Sequence, residues 1–337
     1  MKVLITGGAG FIGSNFIRHL VTNRPDWRLT NLDALTYAGN LNNLEGIPES
    51  DRYKFVKGDV VDTELLKTIF RESAFDCVVN FAAETHVDRS LYDPAGFIRT
   101  NVMGTQALLN QARESGVKKF IQVSTDEVYG SIAPGEYADE TYRLKPNSPY
   151  AASKASADLI CRSYFKTFSL PVIITRTCNN YGPYQFPEKI IPFFITKAFN
   201  DDILPLYGDG LNIRHWLHVE DNCRAILAVL ESGKAGEIYN IGSDSEYTNL
   251  DLTQIILKIL GKSENLIKFV EDRPGHDRRY AMSSRKIEKE TGWHSRITFS
   301  SGIQSTIKWY SDNKTWWQSI TSGEYKSFYE QHYRNRK

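Results

Sequence analysis

The chain has 337 residues, with 41 lysines and arginines against 40 aspartates and glutamates, and a net charge of +1. That balance gives no reason to expect a nucleic-acid or membrane-surface partner, and no stretch approaches the ~20 apolar residues of a membrane helix. A hydrophobic content of 41% is ample for a packed core, and the length suits one large domain plus a smaller lobe.

Strands are expected over 3–6, 28–33, 54–57, 77–80, 120–124 and 172–175, with helices over 12–22, 63–71, 95–115 and 150–168 between them. Such alternation implies a Rossmann-like, doubly wound α/β fold, with parallel strands covered on both faces. The first strand runs into Gly7-Gly8-Ala9-Gly10-Phe11-Ile12-Gly13, where Gly7, Gly10 and Gly13 are spaced G-x-x-G-x-x-G. The spacing suits a tight turn, an approach of backbone to pyrophosphate, and close packing of helix on strand. The second strand ends in Asp33, 20 residues after Gly13. An acid there accepts from ribose hydroxyls and repels a 2′-phosphate, which favours NAD over NADP. Asp59, after the third strand, is a candidate adenine contact or simply a cap for the next helix.

After the fifth strand come Thr125, Asp126 and Glu127, two adjacent carboxyl groups at the carboxyl end of the sheet. Unequal surroundings can keep one as an acid and the other as a base. Farther on, Ser148 and Pro149 are good starting residues for a helix that carries Tyr150 and Lys154. A tyrosine four residues before a lysine is weak evidence, because Tyr53/Lys57, Tyr310/Lys314 and Tyr333/Lys337 repeat it. Only at Tyr150 and Lys154 does the pair open a helix beside the nucleotide-binding half. The two then share a face, and a cation beside the phenol lowers its pKa toward neutrality.

Beyond residue 176 the alternation breaks, with loop-forming clusters at Asn179-Asn180-Tyr181-Gly182 and Tyr207-Gly208-Asp209-Gly210. Helical patterns follow over 219–231, 249–260 and 284–291. The expected division is a nucleotide-binding domain over 1–176 with later crossings back to it, a mainly substrate-binding α/β lobe over 177–315, and an exposed helical tail over 316–337. Cys77, Cys161, Cys178 and Cys223 are scattered, so neither a metal site nor a disulfide is expected. Met1-Lys2 leads straight into the first strand without a leader-like segment, and a cytoplasmic setting is the expectation.

Five stretches carry a family resemblance. They are Thr6-Gly7-Gly8-Ala9-Gly10-Phe11-Ile12-Gly13, Phe81-Ala82-Ala83-Glu84-Thr85-His86-Val87-Asp88-Arg89-Ser90, Ser124-Thr125-Asp126-Glu127-Val128-Tyr129-Gly130, the segment from Asn179 through Gln185-Phe186-Pro187-Glu188-Lys189, and the segment from Asp272-Arg273-Pro274-Gly275-His276 to Tyr280. Over residues 1 to about 310 the chain resembles the extended short-chain dehydrogenase/reductases, and within them the dTDP-glucose 4,6-dehydratases. The glycine loop and the Tyr/Lys pair are common to the superfamily. The Thr-Asp-Glu triplet is the specific part, since sugar-nucleotide epimerases of this fold lack the acid pair.

The resemblance implies dTDP-glucose as the nucleotide-sugar substrate, NAD as a cofactor that stays bound, and a homodimer formed through a bundle of the helices over 95–115 and 150–168. The implied product, dTDP-4-keto-6-deoxyglucose, feeds deoxysugar biosynthesis, with rhamnose first in mind. Implied catalytic residues are Tyr150, tuned by Lys154, for the 4-hydroxyl proton during C4 oxidation, Glu127 for the C5 proton, Asp126 for the departing 6-hydroxyl, and Thr125 for the 4-oxygen. Hydride then returns to C6. Implied cofactor contacts, besides the three glycines, are Phe11, Ile12, Asp33, Asp59, Val60, Ala82, Ala83, Thr100, Tyr150, Lys154 and Asn180. Implied substrate contacts are Thr85, Thr125, Asn179, Lys189, Ile190, Pro205, Tyr207, Arg214, Asn249, Arg273 and His276. His215 stands where the family more often has Asp, which bears on the orientation of Arg214. Two other readings compete: a 4-epimerase or decarboxylase using the same NAD and Tyr150, and a non-catalytic NAD-binding sensor. The acid pair argues against the first, and the intact polar site against the second.

Overall fold

In a computed structural model, residues 1–47 and 49–321 are described. Seven strands form the central sheet: β1 (Lys2–Thr6), β2 (Arg28–Asp33), β3 (Tyr53–Lys57), β4 (Cys77–Asn80), β5 (Lys119–Thr125), β6 (Val172–Thr177) and the later β10 (Ile238–Ile241). Their order is β10-β6-β5-β4-β1-β2-β3, with every pairing parallel. All four residues of β4 and all six of β6 are buried, because helices cover both faces of the sheet.

One face takes α1 (Phe11–Asn23), α8 (Val219–Ser232) and α10 (Arg285–Thr291). Phe16, Ile17, Leu20, Ile226, Val229 and Ile287 meet Val3 and Ile5 there. On the other face α2 (Thr63–Glu72), α5 (Thr105–Glu114) and α6 (Pro149–Phe168) place Leu66, Ile69, Leu108, Ala112 and Cys161 against Leu4, Val78 and Phe120. Successive residues of β1 therefore serve opposite cores, the period-two logic of a strand.

The single helix expected over 95–115 is interrupted. After the short α3 (Val87–Tyr92), α4 (Pro94–Phe97) passes into a π-helical segment, Ile98–Gly104, before α5. The residues at both junctions keep right-handed helical angles, so the rod is continuous while its register shifts. Gly104 allows the close approach at its end, since a Cβ there would lie 2.6 Å from Val60 Cγ2. Such π-bulges concentrate at functional sites, and this one carries Thr100.

Beyond β6 the chain serves both parts of the molecule. The lobe holds β7 (Asn179–Tyr181), α7 (Ile190–Phe199), β8 (Leu204–Tyr207), β9 (Ile213–His218), β11 (Glu246–Thr248), α9 (Asn249–Leu260), β12 (Ile267–Val270) and α11 (Phe299–Asp312). Its strands form two small sheets, β11-β9-β7 and β12-β8. Its own core contains Ile191, Phe194, Leu206, Leu252, Ile256 and Ile303. β10 and α8 meanwhile return to the large sheet.

The exposed tail expected over 316–337 differs from what is seen. Its start belongs to α12 (Lys314–Thr321), where Trp317 is buried and Trp316 Nε1 donates to Asn43 Oδ1 at 2.9 Å. The indole rings find more apolar surface against the body than in water, so this start is docked. The remainder, with the Tyr333/Lys337 pair, lies outside the described residues. Among the described residues no helix is long and apolar enough to cross a membrane, and no group of His, Cys, Asp and Glu is placed to hold a metal ion.

Candidate active site

The turn after β1 is built around glycine. Gly7 has φ +70°, and a Cβ on it would lie 2.7 Å from the backbone nitrogen of Ala82. A Cβ on Gly13 would collide with the carbonyl of Gly7, so the first turn of α1 can lie against the loop. No side chain caps α1 and no acid stands in its first turn, which leaves the N–H groups and their positive field open to a phosphate. Asp33 closes β2 with Oδ2 accepting from Ala9 N and Oδ1 from Leu35 N, both at 2.8 Å. Burial raises its carboxyl group above the usual range.

All the residues expected to touch a cofactor line one cavity of about 720 Å³: Gly7, Gly10, Phe11, Ile12, Gly13, Asp33, Asp59, Val60, Ala82, Ala83, Thr100, Tyr150, Lys154 and Asn180. A cradle that a Cβ would fill, uncapped N–H groups and an acid at the end of β2 together suit a dinucleotide. At the rim, Asp59 Oδ2 accepts from Arg99 at 2.8 Å and its Oδ1 from Val61 N at 3.1 Å. Arg99, also in the lining, escaped the sequence reading because a lone exposed arginine carries no pattern.

Thr125, Asp126 and Glu127 line the same cavity at the carboxyl end of β5. Thr125 Oγ1 donates to Asp126 Oδ1 at 3.2 Å and accepts from Glu127 N at 3.3 Å, so one hydroxyl aligns both acids. Burial, then the Glu127 charge, push the Asp126 carboxyl up to about 8. Its Oδ2 is buried without a hydrogen-bond partner among the described residues. Burial also raises Glu127, but Arg273, Arg214 and Lys189 oppose that rise with positive charge. The two acids thus meet unequal fields: Asp126 is held neutral, while three cations limit the rise of Glu127.

Ser148 caps α6 by accepting from Ala151 N at 3.1 Å, with Pro149 in the first turn. Tyr150 is 8% exposed and Lys154 4%. Contrary to expectation, Lys154 does not lower the phenol. Burial foremost, then the charge of Glu127, raise Tyr150, with a Thr125 hydrogen bond only partly opposing them. The Lys154 ammonium donates to Val123 O at 2.7 Å. Of the other Tyr/Lys pairs, Tyr53 and Lys57 lie along β3, and Tyr310 gives its hydroxyl to Gln185 O in the lobe.

The residues expected to touch substrate fall into two groups. Thr85, Thr125, Asn179 and Lys189 line the cavity, and Lys189 Nζ donates to Thr85 O at 2.9 Å. Ile190, Pro205, Tyr207, Arg214, Asn249, Arg273 and His276 are not part of that lining. Most of them form a polar network next to it. Asp88 receives Arg273 NH1 and the Tyr207 hydroxyl, each at 3.4 Å. His276 Nδ1 meets Asp272 Oδ1 at 2.6 Å, yet burial, with Arg273 and Arg214 nearby, pulls the imidazole down to about 4. Arg214 donates to Asp277 O at 2.9 Å and stacks 4.1 Å from the Tyr280 ring. Asn249 N donates to Asn212 O at 3.0 Å, and Asn212 Nδ2 in turn to Asp277 O at 3.2 Å. Ile190 opens α7, and Pro205 lies on β8 two residues before Tyr207.

His215 has no part in orienting Arg214. Neighbours on a strand face opposite ways; His215 Nε2 meets Glu246 Oε2 at 3.4 Å and its ring lies 5.9 Å from Tyr137.

Two further site groups were missed from sequence. Glu188 lines the cavity, accepts from Tyr37 at 3.1 Å, and is pushed up to about 7 by burial. Tyr280 gives its hydroxyl to Asp277 Oδ2 at 2.8 Å and reaches Glu127 Oε2 at 3.4 Å. Both stood inside quoted motifs, Glu188 beside Lys189 and Tyr280 after Arg279, and that adjacency was the available signal.

A sequence profile of the family described as GDP-mannose 4,6 dehydratase matches residues 4–306. The chain is 47% identical over 326 residues to a dTDP-glucose 4,6-dehydratase of Streptomyces niveus, covering 96% of each. It is 51% identical over 310 residues to the low-salt glycan biosynthesis protein Agl12 of Haloferax volcanii, covering 92% of this chain and 98% of that one. Its fold matches the crystal structure of DesIV, a dTDP-glucose 4,6-dehydratase from Streptomyces venezuelae with NAD and TYD bound. That match has a TM-score of 0.92 and 49% identity, over 95% of this chain and 100% of the other. Matched along nearly its whole length, the chain belongs to the GDP-mannose 4,6-dehydratase family of nucleotide-sugar dehydratases.

Proposed function

We propose that the protein is an NAD-dependent dTDP-glucose 4,6-dehydratase, converting dTDP-glucose to dTDP-4-keto-6-deoxyglucose and water. The observation that carries this reading is the buried acid pair beside Tyr150, with Asp126 pushed up to about 8 and Glu127 surrounded by Arg273, Arg214 and Lys189. An epimerase or decarboxylase has no step that uses both a protonated acid and a carboxylate base at this place.

The cavity lined by Gly7, Gly10, Asp33 and Tyr150 would hold NAD, which would supply a hydride acceptor and later a hydride donor. The chain's own groups move the protons. Tyr150 takes the 4-hydroxyl proton, with Thr125 positioned to hold the 4-oxygen. The resulting 4-ketone acidifies C5, and Glu127 removes that proton. Asp126 gives its proton to the 6-oxygen, which leaves as water, and C5 is reprotonated once C6 is reduced. Atoms balance as substrate in, one water out, with no net oxidation.

Arg214 and Arg273 suit a diphosphate, each offering a planar fork of donors, and Tyr207 suits stacking on a base. The nucleotide-sugar end therefore runs from the cavity into the network around Asp88 and Asp277. A homodimer through α4–α6 is supported by Ile98, Met103 and Leu159, which are 46%, 56% and 58% exposed on these adjoining helices. Four free, buried cysteines suit a reducing cytoplasm, and rhamnose synthesis is the pathway we favour. The test is incubation with dTDP-, UDP-, GDP- and CDP-glucose separately, scoring loss of one water by mass. Selective dehydration of the dTDP sugar supports the reading, and an isomer of unchanged mass from any of them refutes it.

A further inference from the structure

Tyr150, Lys154 and Asp158 recur every four residues on α6 and so share its inner face. Lys154 and Asp158 are both deeply buried, at 4% and 2% exposed. The hydrogen bond from Lys154 Nζ goes to a neutral carbonyl, that of Val123, which does not repay the loss of water around a positive charge. A counter-charge is required, and it lies one turn farther along the helix.

Asp158 is held from the far side. Its Oδ2 accepts from Arg176 Nε on β6 at 2.9 Å, while its Oδ1 is buried without a hydrogen-bond partner among the described residues. Arg176 is fixed in turn, giving NH1 to the Tyr129 hydroxyl at 2.9 Å, which donates to Asn240 Oδ1 at 2.7 Å. This rear network leaves one carboxylate oxygen uncommitted in a site containing two buried cations. A pair serving only to join α6 to β6 would be a costly choice, because two well-packed apolar side chains do that job as well.

We propose that Asp158, held from behind by Arg176, is a positioning residue of the proton-transfer site whose charge keeps the Lys154 ammonium protonated one turn from Tyr150. This rests on the dehydratase reading of that site. Other titratable or charged groups around the pair are Tyr150 and Cys161 on α6, Asp126 and Glu127 after β5, and Arg176 and Tyr129 behind. Burial works against the ammonium, and the groups favouring it are Asp158 first and Cys161 second. Removing the Asp158 charge therefore lets Lys154 lose its proton at lower pH.

The experiment compares kcat, KM and the pH profile of Asp158→Asn with the unaltered enzyme, using dTDP-glucose. The alkaline limb of kcat is expected to move down by at least about one pH unit, and kcat at pH 8 to fall about tenfold or more. KM should change by less than about twofold, since Asp158 does not face the substrate. A lower melting temperature and kcat with an unmoved alkaline limb would overturn the proposal, leaving Asp158 as a structural tie. Should Asp158→Asn fail to fold because Arg176 is left unpaired, the double variant Asp158→Asn, Arg176→Gln removes both charges. Its alkaline limb should still move down, and a limb at the original position overturns the proposal. If the unaltered enzyme dehydrates no nucleotide sugar, the functional reading fails first, and that outcome is distinct from both.

Discussion

Replacing Asp126 with Asn should stabilise the protein at neutral pH while removing its activity. The carboxyl group stands at about 8 rather than its ordinary 3.8, because burial and then Glu127 disfavour its charge. Between those values the folded protein holds a proton that the unfolded chain has released. Stability from this group is thus full below pH 3.8 and is lost as pH rises toward 8. At about 1.4 kcal/mol per pH unit, the strain carried at pH 7 is on the order of 4 kcal/mol. An amide cannot ionise and relieves most of it, less about 1 kcal/mol for the weakened bond from Thr125. Taking ~2.1 cal/mol/K per residue over 337 residues, a net gain of about 3 kcal/mol raises the melting temperature by roughly 4 °C. The assay is thermal unfolding of both proteins, with equal NAD content, at pH 7.5 and at pH 4.5. The gain should be present at the first pH and nearly gone at the second. An equal shift at both, or a loss of stability at pH 7.5, would refute the assignment of Asp126 as the neutral acid.

Other expectations follow from the same geometry. Glu127→Gln should stop uptake of solvent deuterium at C5 while leaving NAD bound, and persistent uptake measured by NMR would remove Glu127 as the base. Tyr150→Phe should lose the first hydride transfer, so a transient NADH absorbance of normal size in stopped flow would contradict its role. Gly7→Ala forces a Cβ to within 2.7 Å of Ala82 N at φ +70°, and protein purified from it should carry at least about tenfold less NAD, by mass spectrometry after denaturation. Met103→Glu should weaken self-association, since it places a charge in the exposed apolar stripe of α4–α6. A sedimentation coefficient that stays at the dimer value would place the interface elsewhere.

Sequence revealed what is local. The glycine loop, Asp33 and the capped start of α6 are each specified by neighbours within a few residues, and Gly7, Gly10, Gly13, Asp33 and Tyr150 line the cavity. The interruption at Ile98–Gly104 was hidden because a π segment has nearly the helical periodicity, and the residue that Gly104 closely approaches, Val60, is distant in sequence. The lobe's short strands were hidden for a similar reason. β7 and β11 have three residues each, too few to display alternation, and they exist through pairing with β9. The field around Glu127 was the hardest to see, since Arg214, Arg273 and Lys189 reach it from three separate segments. The lowered phenol was misjudged because helix geometry shows that Lys154 is near Tyr150, but not that the ammonium is directed to Val123 O.

The central claim is elimination of water across C5 and C6 by Glu127 and Asp126. Its most direct test is turnover of dTDP-glucose, labelled with deuterium at C4, in ordinary water and the unlabelled sugar in deuterium oxide. The product should be lighter by one water, with the C4 label recovered at C6 and one solvent deuterium at C5. A product of unchanged mass with its C5 hydrogen retained would contradict it.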